Sequence, residues 1–313
     1  MSRPSLYDGP VIDGHMHVAS TRFIPEHFIR DVGASIETKL NGYGERAGAG
    51  MVGKLIAQHQ DHEADGLVKA MDEARIERAV LLVPDFSLAI PGSMDPLEAM
   101  ARHHAIRQRH PGRFFLFAGV DPRHGPHAVG WFEQWVRDYA IDGLKLYPPA
   151  GYSPGDSLLD PYYEICAAHG LPVLLHTGPT IESLDFSLAM PMLVDRAARR
   201  FPRVRFILAH GGVSNVAQCA ELCAYRSNVY MDVAGYPSAL NGAGWQAHMG
   251  QVLRLGIAHK VIYGSDWPTS RLAGGLSNLL DEVRCHPDIL SGLNQRERAM
   301  FFGGNLLRLL GAG

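Results

Sequence analysis

The chain has 313 residues, 46% hydrophobic and 19% charged, enough for one large domain or two small ones with a core that needs no disulfide staples. Its 29 basic and 32 acidic residues leave a formal charge of −3 with no basic tract, which argues against nucleic-acid and anionic-membrane partners. Cys166, Cys219, Cys223 and Cys285 are too few and too scattered for a disulfide framework.

No apolar run approaches the ~20 residues of a membrane span, and MSRPSLYDGP lacks the apolar core of a signal peptide, so the cytoplasm is the expected compartment. Short apolar runs rich in β-branched residues then recur along the chain. They cover residues 11–15, 79–83, 114–120, 143–147, 172–176, 204–210, 229–233 and 261–264. Such runs suit strands buried on both faces of a parallel sheet. Between them lies helical periodicity: Ala64, Leu67, Val68, Met71 and Ala74 form one apolar stripe. Residues 95–110 and 188–200 read similarly, and 214–226 less clearly so. Stops follow at His110-Pro111-Gly112, His169-Gly170 and Phe201-Pro202.

Strand then helix, repeated over the whole length, predicts an α/β protein with a single (β/α)₈ barrel domain over residues 1–313. A doubly wound open sheet would usually carry a Gly-rich nucleotide turn after its first strand, and none is present. Residues 33–62, with Gly33, Gly42, Gly44, Gly48, Gly50 and Gly53, read as a long irregular active-site loop between the first strand and its helix. A loop of that length on the rim of a barrel is expected to act as a lid or binding loop.

Polar residues gather at the C-terminal ends of the strands, which converge on one rim in a barrel. His15 and His17 end the first strand two residues apart, so their side chains point the same way. His176 ends the fifth strand, His210 the sixth, and Asp266 follows the eighth. Imidazoles with one carboxylate suit zinc, iron, manganese or cobalt and do not suit calcium. A lone His-x-His carries little information; histidines and an aspartate at one topological level carry much more. His103, His104, His110, His124 and His127 read as solvated helix or loop positions. His169 suits a helix C-terminus, and Cys219 with Cys223 reads as a pair of small buried apolar groups.

This pattern resembles the amidohydrolase superfamily, in its branch without an accessory β-sandwich. The resemblance runs from Ile12-Asp13-Gly14-His15-Met16-His17 to Gly304-Asn305-Leu306-Leu307-Arg308-Leu309-Leu310. Gly264-Ser265-Asp266-Trp267-Pro268 is similar to the strand-eight motif of the amidohydrolase-related subfamily, which also contains lactonases and aromatic-acid decarboxylases. In dihydroorotase- and phosphotriesterase-like members a lysine ending strand four is carboxylated and bridges two metals. Lys145, in Gly143-Leu144-Lys145-Leu146-Tyr147-Pro148, stands in that place. A buried lysine of depressed pKa is the kind that reacts with CO₂. The alternatives are a lysine that binds a substrate carboxylate or one that salt-bridges at the rim.

The expected metal set is therefore His15, His17, Lys145, His176, His210 and Asp266, holding one or two divalent ions per subunit. Zinc is expected first, with manganese, iron and cobalt as alternatives. The expected reaction is hydrolysis of a lactone, ester or amide by metal-activated water. Asp266 acts as general base and then acid, with His210 assisting. The alternative is non-oxidative decarboxylation or hydration of a small aromatic or unsaturated acid. Decarboxylases of this family often carry glutamate where His15 stands. A merely metal-binding protein would leave unexplained why Asp266 and residues 33–62 share one rim. Arg22 and Arg271 are placed to meet an anionic small-molecule substrate. Tyr147, Tyr152, Trp267 and Tyr236 are expected to line an aromatic-tolerant pocket. Pairing into a homo-oligomer through the outer helices is a further expectation.

Overall fold

The computed structural model describes residues 4–41, 50–211, 213–237 and 244–312. Strands β1 (Val11–Met16), β2 (Ile76–Leu82), β3 (Phe114–Gly119) and β4 (Gly143–Leu146) are followed by β5 (Val173–His176), β6 (Phe206–Ala209), β7 (Val229–Asp232) and β8 (Val261–Ile262). All pair in parallel with their neighbours in chain order, as a (β/α)₈ barrel requires. The seam between β8 and β1 is closed by single hydrogen bonds. Gly14 N donates to Tyr263 O at 2.9 Å, and His17 N donates to Trp267 O at 2.8 Å. A side chain at Gly14 would bring its Cβ within 2.6 Å of Ile262 Cγ2, so glycine is what lets the first and last strands meet.

Period-two alternation sorts each strand into two layers. Ile12, Val80, Leu82, Phe115, Phe117, Leu174, Ile207 and Ile262 fill the barrel interior, where Leu306 and Leu309 of the C-terminal helix Asn305–Leu310 pack against them. Leu81, Leu116, Leu144, Leu146, Leu175, Leu208 and Met231 face outward onto the helices, among them Met71, Met100 and Phe132. Burying each such side chain contributes about 1.5–3 kcal/mol. Because Leu144 and Leu146 face out, Lys145 faces in; because Met231 faces out, Asp232 faces in. The register of β1 against β2 shifts between Asp13 and Met16, and Met16 packs outward, which leaves His15 and His17 on the inner side.

The stretch 33–62 corrects the sequence reading. Its described parts are mostly helical: α1 (Glu26–Asn41) and α2 (Met51–Gln58) take up most of it, and residues 42–49 lie outside the described set. Gly33 sits inside α1, where a Cβ would come within 2.7 Å of Val52 Cγ2. Its glycine therefore serves a close helix crossing rather than a loop. Ile24, Ile29, Ile36 and Leu55 form a separate apolar cluster between the two helices, with Phe28, Val32 and Leu272 against it. All four cysteines are free, and no helix among the described residues is long and apolar enough to cross a membrane.

Candidate metal centre

Each of the four strand-end histidines has one ring nitrogen committed to an oxygen. His15 Nδ1 lies 2.8 Å from Asp232 Oδ2, His17 Nδ1 3.1 Å from Leu82 O, and His210 Nδ1 3.0 Å from Ala234 O. His176 uses the other nitrogen, Nε2, at 3.0 Å from Pro179 O. These oxygens only accept, so the committed nitrogen carries the proton and the opposite one presents its lone pair. Burial, with the charge of Lys145 added, holds His15, His17 and His176 well below the usual imidazole range. Neutral imidazoles with fixed tautomers are what a divalent cation needs.

The donor atoms of His15, His210 and Asp266 lie within 4.8 Å of one another, with His15 Nε2 3.5 Å from Asp266 Oδ1. His17 and His176 stand just outside this group, their ring centroids 5.3 Å from His15 and 4.9 Å from His210 respectively. His210 (φ 60°) and Asp266 (φ 56°) both occupy the left-handed region, which non-glycine residues adopt at a cost and which clusters at functional sites. The donor set thus fits a first-row divalent cation.

Asp232 is a residue that the strand-end reading passed over. Its Oδ1 accepts from His210 N at 2.8 Å and from Ala234 N at 3.1 Å, while Oδ2 takes His15 Nδ1. Burial pushes its carboxyl up, and the neighbouring His210 pulls the other way. The signal was present, since Met231-Asp232 ends strand seven at the same level as the other strand-end groups. Asp13 is also buried; its Oδ1 accepts from the backbone N–H of His15 and Ser265 and ties the two ends of the barrel seam.

Lys145 is buried beside the cluster, and no carboxylate lies within ion-pair distance of it among the described residues. Burial lowers its ammonium to about 8, against the pull of Asp232 and Asp266. Lys145, His17, His176, His210 and Asp266 together line a cavity of about 220 Å³. The rest of its wall is largely apolar: Phe28, Phe86, Tyr147 and Ile181 form one cluster, and Ile24, Val32 and Leu55 come from the α1–α2 region. Tyr147 stacks on the His176 ring at 4.2 Å, and its hydroxyl lies 3.1 Å from Thr180 Oγ1.

Other expectations are corrected by the contacts. Arg22 is exposed and does not line the cavity. Arg271 donates to the Gln58 carbonyl and lies over the Trp267 ring at 4.2 Å, so its charge is spent outside the cavity. Tyr152 is buried behind the wall and accepts the Tyr147 N–H at 2.8 Å, which positions Tyr147 instead of touching the cavity. Trp267 is buried, and the side chain of Tyr236 lies outside the described residues. His103, read as solvated, is buried against the Phe23 ring with Nδ1 on Ala99 O at 2.7 Å. His59, unremarked in the sequence, does line the cavity.

The fold and this cluster define a barrel of the amidohydrolase type. The chain matches the amidohydrolase family model over residues 12–312 and belongs to that family. No curated protein matches it. Among solved structures it resembles an uncharacterised TIM-barrel protein of Bordetella bronchiseptica, at 19% identity and a TM-score of 0.68, covering 97% of this chain and 99% of that one. A 5-carboxyvanillate decarboxylase of Novosphingobium aromaticivorans, complexed with manganese and 4-hydroxy-3-methoxy-5-nitrobenzoic acid, is similar at 15% identity and a TM-score of 0.69, covering 98% and 99%. A dihydroxybenzoic acid decarboxylase of Polaromonas, with bound manganese and 2-nitroresorcinol, is similar at 15% identity and 0.63, covering 96% of each chain. At these identities the likeness is one of fold.

Proposed function

We propose that this chain is a metal-dependent lyase that removes the carboxylate of a small aromatic acid as CO₂, without oxidation. One observation carries the reading: an imidazole–carboxylate cluster with a lone lysine lines a cavity of about 220 Å³ whose remaining wall is largely aromatic and aliphatic. That shape takes a flat apolar ring with an anionic edge. The manganese-bound decarboxylases of similar fold support this reading over hydrolysis, the first expectation from the sequence.

His15, His210 and Asp266 would hold the cation, with His17 and His176 completing its surroundings. Manganese, found in the similar decarboxylases, is the ion to try before the zinc first expected. When bound, such an ion would anchor the substrate oxygens and offset negative charge that develops on them. Lys145 supplies a second point charge for the carboxylate or a phenolate beside it. In the reaction a proton adds to the ring carbon that bears the carboxylate. The C–C bond then breaks, its electron pair returns to the ring, and CO₂ leaves. Asp266, with His210 next to it, would carry that proton. The apolar walls hold the ring and keep water away.

The test is CO₂ release from a set of hydroxy- and methoxybenzoates by manganese-loaded protein, with lactones and esters run alongside. Release of CO₂, abolished in Asp266→Asn, is expected; lactone or ester hydrolysis without CO₂ release overturns the reading. A second reading rests on Lys145, whose burial and ammonium lowered to about 8 suit carbamate formation and a two-metal hydrolase. Two metal equivalents per chain, falling in Lys145→Ala, would favour it. One equivalent that survives the substitution favours the lyase.

A further inference from the structure

The α1–α2 side of the cavity wall is apolar apart from a few groups, and Ser35 is already engaged, its Oγ donating to Asp31 O at 2.9 Å. His59 is held differently. Its backbone is tied at both ends: its N–H caps α2 on Ile56 O at 3.1 Å, and its carbonyl accepts from Thr21 N at 2.9 Å. The ring is buried, and Nδ1 lies 2.6 Å from Leu55 O. A carbonyl only accepts, so Nδ1 carries the proton and Nε2 keeps a lone pair. Burial lowers the ring's pKa against the pull of the Leu55 carbonyl, and Arg271, clamped on the carbonyl of the preceding Gln58, adds its charge to that lowering. The result is a fixed acceptor on a residue that lines the cavity beside Ile24, Leu55 and Leu272, where a bound ligand that leaves it unmet is disfavoured.

We infer that His59 reads the substrate: Nε2 accepts a hydrogen bond from a hydroxyl on the aromatic ring, so the acid taken is hydroxylated at the position that faces α2. The inference rests on the decarboxylase reading above and narrows its substrate class. A methoxy group at that position has no proton to give, and an unsubstituted ring leaves the acceptor unmet. Arg271, which the sequence suggested as an anion contact, thereby acquires another part: it pins the segment that carries the reader.

The experiment uses the full-length manganese-loaded protein and 2-hydroxybenzoate as parent probe. Analogues carry a further hydroxyl at ring carbon 3, 4, 5 or 6, each with a methoxy twin, and calorimetric binding and CO₂ release are both recorded. In the wild type, one ring position is expected to favour hydroxyl over both methoxy and hydrogen by about 2- to 10-fold, the yield of one net hydrogen bond. His59→Leu brings that ratio to about one at that position alone. His59→Gln, whose amide oxygen accepts, restores part of it. A wild type with no such preference, or a preference that survives in His59→Leu, overturns the inference while CO₂ release keeps the decarboxylase reading in place. A wild type that neither binds nor decarboxylates any of these acids removes the reading and the inference together.

Discussion

Asp232 touches three parts of the centre at once, through the ring of His15 and the backbone N–H groups of His210 and Ala234. A carboxylate behind a ligating histidine fixes the tautomer and raises ligand basicity, and its loss typically costs about 10- to 100-fold in metal affinity. Asp232→Asn should weaken manganese binding by that order, measured by competition against a chelator, while the melting temperature in excess metal stays near the wild-type value. An unchanged affinity would mean that His15 is oriented by something else. His176, His210 and Asp266 were legible because each ends an apolar run, and a barrel brings all such ends to one rim. Asp232 obeys the same rule but acts through the ring of His15 and the backbone of His210, and such a supporting carboxylate has no ligand spacing of its own to mark it in the sequence. Arg271 was illegible for another reason: its direction is decided by the Gln58 carbonyl and the Trp267 ring, and neither contact leaves a mark in local sequence.

At the scale of elements, the barrel strands follow from their short continuous apolar runs, whereas α1 and α2 do not announce themselves. Glycine disfavours helix by about 1 kcal/mol relative to alanine, so a glycine-rich stretch reads as loop. Burial of Ile24, Ile29, Ile36 and Leu55 overrides that propensity, and Gly33 is the point where the two helices come closest to conflict. Gly33→Val should push α2 away from α1, since overpacking of this kind costs about 1–3 kcal/mol. Because Ile24, Ile29, Val32 and Leu55 line the cavity but hold no metal, the expected outcome is weaker binding of 2-hydroxybenzoate with the metal content unchanged. Loss of metal along with the ligand would show instead that the helices and the barrel rim are one cooperative unit.

For the molecule as a whole, the barrel buries several imidazoles in their neutral form, and that sets how it responds to acid. His103 is the cleanest case, because it lies outside the cavity: burial lowers it from 6.5 to about 4, with the Ala99 carbonyl opposing only in part. Unfolding returns the ring to its ordinary value, so between these limits the unfolded chain binds more protons than the folded one. The contribution of His103 is therefore fully present above pH ~6.5 and is lost as pH falls toward ~4, in total roughly 3 kcal/mol. His15, His17 and His176 shift in the same direction, which would steepen the acid slope further, so the test has to be a difference. Urea unfolding of wild type and His103→Leu between pH 7 and 4, both with chelator to remove the metal contribution, isolates it. The variant should lose less stability over that window, by an amount of that order; parallel curves would mean that His103 takes up its proton in the folded state without penalty.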